Sequence, residues 1–179
     1  MKSNIILIGY MGCGKSTVGR KMAEMFRWPL IDTDALIEEQ EGTTISEIFA
    51  VKGEQYFRDL ETECLKCLLE QNNSIESIIS VGGGLPVKEE NRKLLKLLGE
   101  VIYLKASPET IYERLKSDTT RPLLQTDNPK QKIIDMLKNR EEKYQSAAHR
   151  VIEVDNKSIT EIIQEINRND GSHSLVTGE

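Results

Sequence analysis

The sequence predicts an α/β domain in which one parallel sheet of five strands lies between helices, a single-domain three-layer sandwich. Three observations lead there. Short apolar runs alternate with longer amphipathic stretches along the whole chain, a glycine-rich segment follows the first apolar run directly, and no internal repeat interrupts the pattern. Continuous apolar runs suit strands buried on both faces, and strand-helix alternation requires right-handed crossovers between parallel strands. At 179 residues, with hydrophobic residues at 38% and charged residues at 30%, one globular domain is expected over residues 1–168.

Taken in order, the apolar runs at residues 5–8, 30–31, 78–81, 101–104 and 151–154 are the strands. Helical patterns occupy residues 15–26, 35–41, 45–51, 54–71, 89–98, 108–116, 129–147 and 159–167. Thr44 with Glu47 has capping-box spacing, and Ser107 is a second helix start. Residues 117–128 form a polar loop longer than an ordinary connection, which reads as a lid or binding element that is mobile without ligand. Residues 169–179 are a polar, small-residue tail expected to fray.

Composition excludes several classes. A net charge of −5 gives no broad positive field for nucleic acid. No apolar stretch approaches the roughly 18 residues of a membrane span, and no signal-peptide pattern precedes the first strand, so a cytoplasmic protein is expected. Three cysteines suit a reducing compartment without structural disulfides. Cys64 and Cys67 form C-x-x-C within a helical pattern, without the further ligands a zinc site needs, and read as helix-packing thiols.

The chemistry is concentrated in a few segments. Gly9-Tyr-Met-Gly-Cys-Gly-Lys15-Ser16 matches G-x-x-x-x-G-K-[ST] between a strand and a helix. Its glycines let backbone N–H groups and a helix N-terminus face the phosphates of a nucleotide, with Lys15 reaching the β- and γ-phosphates and the Ser16 hydroxyl placed for Mg2+. After the second strand, Asp32 and Asp34 fall at the carboxyl edge of the sheet, where ligands collect. Asp32 is a candidate for the metal and Asp34 for a substrate hydroxyl, against the simpler reading that these acids cap the next helix. Arg58 and Glu61 share a helix face, either as a surface ion pair or as a guanidinium held ready for a substrate carboxylate. The third strand runs into Gly82-Gly83-Gly84, which is either a flexible turn or a backbone that approaches a ligand and donates N–H groups to it. No aspartate ends that strand, which argues against motor ATPases; the later run from Val151 to Asp155 reads as an edge strand and turn. Arg121, held extended before Pro122, and Arg140 are the remaining cations of interest.

Together these segments resemble the shikimate kinases from Ile5 to about Asn156. The resemblance rests on residues 9–17, Ile31-Asp-Thr-Asp34, Gly53-Glu54 with Phe57, Arg58 and Glu61, Gly82 to Gly84, Arg121-Pro-Leu-Leu124, and Arg140 with Tyr144. It implies a monomer with strand order 2-3-1-4-5 that moves the γ-phosphoryl group of ATP to the 3-hydroxyl of shikimate in aromatic amino-acid biosynthesis. Gly12, Cys13, Gly14, Lys15, Ser16 and Thr17 would then bind ATP, with Ser16 and Asp32 serving Mg2+. Asp34 would orient the shikimate hydroxyls. Arg58, steadied by Glu61, would bind shikimate with Arg140 and the Gly82, Gly83 and Gly84 turn, on helices spanning about residues 34–61. Arg121 would act from the lid, and Arg114 would stack on adenine opposite the loop carrying Lys157. Alternatives from the residues are a related kinase, such as a gluconate or nucleoside monophosphate kinase, and a non-catalytic ATP-binding regulatory domain.

Overall fold

A computed structural model describes residues 4–71, 76–116 and 128–168. The strands are β1 (Asn4–Ile8), β2 (Leu30–Asp32), β3 (Ile78–Ser80), β4 (Gly99–Lys105) and β5 (Arg150–Glu153). The helices are α1 (Lys15–Phe26), α2 (Thr33–Glu41), α3 (Ile45–Glu70), α4 (Glu89–Leu98), α5 (Pro108–Leu115), α6 (Pro129–Ala147) and α7 (Ile159–Arg168), with a 3-10 turn at Leu85–Val87. All strand pairings are parallel and the order is β2-β3-β1-β4-β5, as expected.

Burial explains the arrangement. Ile6, Leu7 and Ile8 of β1, Ile78 and Ile79 of β3, and Val101, Ile102 and Leu104 of β4 are all buried, because the central strands are covered on both faces. Each such side chain contributes about 1.5–3 kcal/mol on burial, whereas an exposed pair such as Lys21–Glu24 contributes about 0–1 kcal/mol, so the apolar strands set the fold. Helices α1 and α7 pack together against the sheet, while α3, α4 and α6 form a second group beside β4 and the 3-10 turn. At the head of β1, the Asn4 amide donates to the Leu98 carbonyl at 2.9 Å, and its oxygen accepts from Ser77 N–H at 3.1 Å. One side chain thereby sets β1 beside both of its neighbours.

Two helices expected at residues 45–51 and 54–71 emerge as a single span with one break. Gly53 at the break has φ 83° and ψ 171°, a conformation closed to other residues. The expected start of this span holds: Thr44 Oγ1 accepts from Glu47 N–H at 3.3 Å while Glu47 Oε2 accepts from Thr44 N–H at 3.0 Å. Ser107 likewise accepts from Thr110 N–H at 3.2 Å. Cys64 is buried and Cys67 exposed on α3, the former with its thiol pushed up to about 11 by burial, which suits packing and not redox exchange.

Gly53→Ala tests the break. No atom lies within 4 Å of an added Cβ, so the cost is backbone strain alone. Urea unfolding should show a loss of about 1–3 kcal/mol, with an unchanged slope.

Candidate active site

The carboxyl ends of β1, β2 and β3 open into a cavity of about 440 Å³. After β1 the chain curls through the glycine-rich loop. Gly12 (φ 78°) and Gly14 (φ 107°) take left-handed conformations, and Gly14 leads directly into α1, whose N-terminus borders the cavity. Lys15 Nζ donates to the carbonyls of Gly9 at 2.8 Å and Tyr10 at 3.2 Å, so the ammonium sits inside the loop's curve. The Arg114 Nη1 reaches across from α5 to the carbonyls of Gly12 and Cys13, each at 3.1 Å. Cys13 is buried beneath the loop, as a small packing residue would be. Lys157, Ile159 and Ile162 line another part of the cavity, with Lys157 paired to Glu165 at 2.5 Å.

The acids after β2 divide the two readings that the sequence allowed. Asp32 does cap α2: its Oδ1 accepts from the N–H groups of Asp34 at 3.0 Å and Ala35 at 3.3 Å. It also lines the cavity together with Ser16, and a carboxylate and a hydroxyl are the hard oxygen donors that Mg2+ takes when phosphates and water complete its shell. Among the described residues no group of three or more His, Cys, Asp or Glu forms a separate metal cage. Asp34 caps nothing. Its Oδ1 is buried without a hydrogen-bond partner, and its pKa is raised to about 6 by burial first and by Asp32 second, while Lys15 and Arg58 oppose the shift.

Beyond β3, each glycine of the turn has its own neighbour. An added Cβ at Gly82 would lie 2.5 Å from Asp34 Oδ1, one at Gly83 would lie 3.3 Å from the Gly9 carbonyl and 3.4 Å from Met11 N, and one at Gly84 would lie 2.8 Å from Arg58 Cζ. The expectation that Gly82 offers its N–H to a ligand is corrected, because that N–H donates to the buried Thr33 Oγ1 at 3.2 Å. What Gly82 provides is room for Asp34.

Arg58 is only 23% exposed, so the surface-pair reading gives way to a held guanidinium. Its Nη1 donates to the buried Glu61 at 2.9 Å, its Nη2 donates to Glu54 at 3.0 Å, and its Cζ lies 5.6 Å from the Phe57 ring centroid. Burial pushes Glu61 up to about 7 against the pull of Arg58. From α6, the Arg140 Nη1 donates to the Gly83 carbonyl at 3.3 Å, an acceptor it shares with the Tyr144 hydroxyl at 2.6 Å.

The expected residues thus fall into two sets that meet at this turn. Gly12, Cys13, Gly14, Lys15, Ser16, Thr17, Asp32, Asp34, Gly82, Gly83 and Arg114 line the cavity, whereas Arg58, Glu61, Gly84 and Arg140 gather beside it. Arg121 and residues 117–127 of the expected lid lie outside the described residues; Asn128, the last residue of that loop, caps α6 by accepting from Gln131 N–H at 3.1 Å. The sequence places Thr33 and Glu54 within the family pattern but assigns neither a role, and it does not single out the buried pair Thr62 and Asn91. Thr62 Oγ1 lies 2.9 Å from Asn91 Oδ1, and Asn91 Nδ2 donates to the Leu85 carbonyl at 3.0 Å, which pins the glycine turn to the helix of Arg58. Only Glu54 carried a signal, its spacing of four from Arg58.

Comparisons with known proteins find relatives over nearly the whole chain. The family model for shikimate kinase matches residues 11–169. A shikimate kinase of Alkaliphilus oremlandii is 42% identical over 168 residues, covering 93% of this chain and 98% of its own. The structure of shikimate kinase from Acinetobacter baumannii in complex with shikimate superposes with a TM-score of 0.83 at 40% identity, over 92% of this chain and 90% of that one. A gluconokinase from Sinorhizobium meliloti, at 22% identity and a TM-score of 0.55, shares the fold alone. With these matches spanning nearly the whole chain, the protein belongs to the shikimate kinase family.

Proposed function

We propose that this chain transfers the γ-phosphoryl group of ATP to the 3-hydroxyl of shikimate, releasing ADP and shikimate 3-phosphate, a step in aromatic amino-acid biosynthesis. The observation that carries the reading is Asp34, a carboxylate with one buried, unpartnered oxygen at the seam between the nucleotide loop and the Arg58 cluster. An ionised Asp34 holds the acceptor hydroxyl and takes its proton as the oxygen attacks phosphorus. The loop N–H groups and α1 terminus receive the phosphates, and Lys15 exchanges its loop carbonyls for phosphate oxygens. Arg58 and Arg140 bind the acceptor carboxylate, which fixes the ring so that one hydroxyl faces the nucleotide. Ser16 and Asp32 would hold Mg2+, which when bound with ATP neutralises charge on the β- and γ-phosphates. Positioning and charge supply most of the rate, since phosphoryl transfer asks little covalent chemistry of the protein.

The direct test is coupled ADP release with shikimate, gluconate and nucleoside monophosphates as alternative acceptors. Shikimate alone should drive turnover, and turnover without shikimate dependence would sink the proposal. In the same assay Arg58→Ala should lose roughly 2–5 kcal/mol of shikimate binding while Lys15→Ala mainly lowers kcat. Loss of ATP affinity alone in both variants would show that Arg58 is misassigned.

Gly84→Ala tests the space left for Arg58. The displaced atoms are the end of a flexible side chain, so the fold should tolerate the change while the guanidinium shifts. Shikimate KM should rise roughly tenfold to a hundredfold at nearly constant ATP KM. An unchanged shikimate KM would remove Arg58 from the site.

The raised acids give a pH dependence of defined sign. Asp34, raised from an ordinary 3.8 to about 6, and Glu61, raised from 4.5 to about 7, bind protons more tightly than in the unfolded chain, so between the ordinary and the raised values the native state holds more protons and their contribution to stability falls as pH rises. Asp34→Asn should therefore raise the thermal midpoint by roughly 3 °C at pH 8, with a smaller gain at pH 5, while abolishing turnover. In wild type, kcat/KM for shikimate should climb through about pH 6–7 as these acids ionise. A destabilised Asn variant at pH 8 would contradict the assignment.

A further inference from the structure

Tyr10, Tyr103 and Tyr144 are among the largest fully buried side chains, and they sit together behind the site. The rings of Tyr103 and Tyr144 have centroids 5.1 Å apart, and the Tyr103 hydroxyl donates to Glu141 at 2.8 Å. Tyr10 belongs to the phosphate loop, yet its side chain points at α6. Its hydroxyl donates to Met136 Sδ at 3.3 Å, and its ring centroid lies 5.8 Å from Arg140 Cζ. Its own carbonyl accepts from Lys15 at 3.2 Å. Met136, Arg140 and Tyr144 recur every four residues on α6, so one helix face meets both the nucleotide loop and the Gly83 carbonyl.

We infer that Tyr10 is a positioning residue for Arg140: its ring face holds the guanidinium at the angle that meets the acceptor carboxylate, and its backbone holds Lys15 on the nucleotide side. The inference rests on the reading of Arg140 as a shikimate ligand. A guanidinium is weakly hydrated and planar, so an aromatic face attracts it and limits its rotation where an aliphatic wall would do neither. A buried ring is itself confined, which makes it a fixed reference for the flexible arginine. If Tyr10 served packing alone, an apolar residue of similar volume would replace it without preference for either substrate.

The test is steady-state kinetics on Tyr10→Met, Tyr10→Phe and a series with stepwise fluorinated phenylalanine at position 10. Tyr10→Met should raise the shikimate KM about fivefold while the ATP KM stays within about twofold. Tyr10→Phe keeps the ring and should restore the wild-type shikimate KM. Each added fluorine weakens the negative ring face with little change of shape, so the shikimate KM should rise progressively, and this series decides the matter should the Met variant fail to fold. A flat response to fluorination, an unchanged shikimate KM in a folded Met variant, an equal rise in both KM values, or a Phe variant as impaired as Met would each overturn the inference. Wild-type turnover without shikimate would remove the acceptor itself, a failure seen before any variant is compared.

Discussion

Close backbone approach at the Gly82 to Gly84 turn is the constraint on which the rest of the site depends. Three bodies converge there: Asp34 after β2, the phosphate loop after β1, and the guanidinium of Arg58 from α3. A side chain at any of the three positions would press on a different partner, so each glycine answers a separate steric demand. The buried hydrogen bonds of Thr33 to Gly82 and of Asn91 to Leu85 hold the turn where it must be. Satisfied polar groups of this kind are costly to disturb, since losing one partner leaves the other buried and unpaired.

Electrostatics follow from that crowding. Asp34, Glu61, Arg58, Arg140 and Lys15 lie close enough to influence one another, and burial raises both acids while the cations pull them down. The pair of Arg58 and Glu61 gains Coulomb energy at a desolvation cost of similar size, so its value to stability is small. Its effect on the site is geometric, because Glu61 and Glu54 restrain the arginine from different nitrogens. Asp34 has no such restraint on Oδ1, which under the proposed function is the atom that meets the acceptor hydroxyl.

Much of this was legible in the sequence. Buried strands declared themselves through continuous apolar runs, the phosphate loop through glycine and lysine spacing, and the break at Gly53 only as a gap between two helical patterns. Strand order came from family resemblance and not from periodicity, since parallel pairing leaves no local mark. What stayed hidden depends on tertiary geometry. Asp32 could cap a helix, line the cavity, or do both, and only the placement of Ser16 beside the same space shows that it does both. The glycine turn reads from sequence as a donor to ligand, whereas the Gly82 N–H goes to Thr33, a residue with no pattern of its own. Tyr10 occupies a variable position of the loop motif, where sequence assigns no role, and its neighbours on α6 lie 126 and 130 positions away.

The helical segment ahead of the break at Gly53 differs mechanically from the sheet. β1 anchors the phosphate loop with four consecutive buried residues in the middle of the sheet. By contrast, α2 and the first turns of α3 bury little besides Thr33, Ile37 and Ile48, and they are joined by surface contacts such as Lys52 to Glu41. Contacts that open to water exchange with it most readily, so amide exchange should rank this helical bracket well below the central strands. Under the proposed function, stiffness is graded across the site, with a rigid floor for phosphates and a compliant wall, α2, for the acceptor. Asp34 sits on that wall and Arg58 on the better-buried part of α3 beyond the break, so an acceptor bridging the two would draw the soft element onto a firm one.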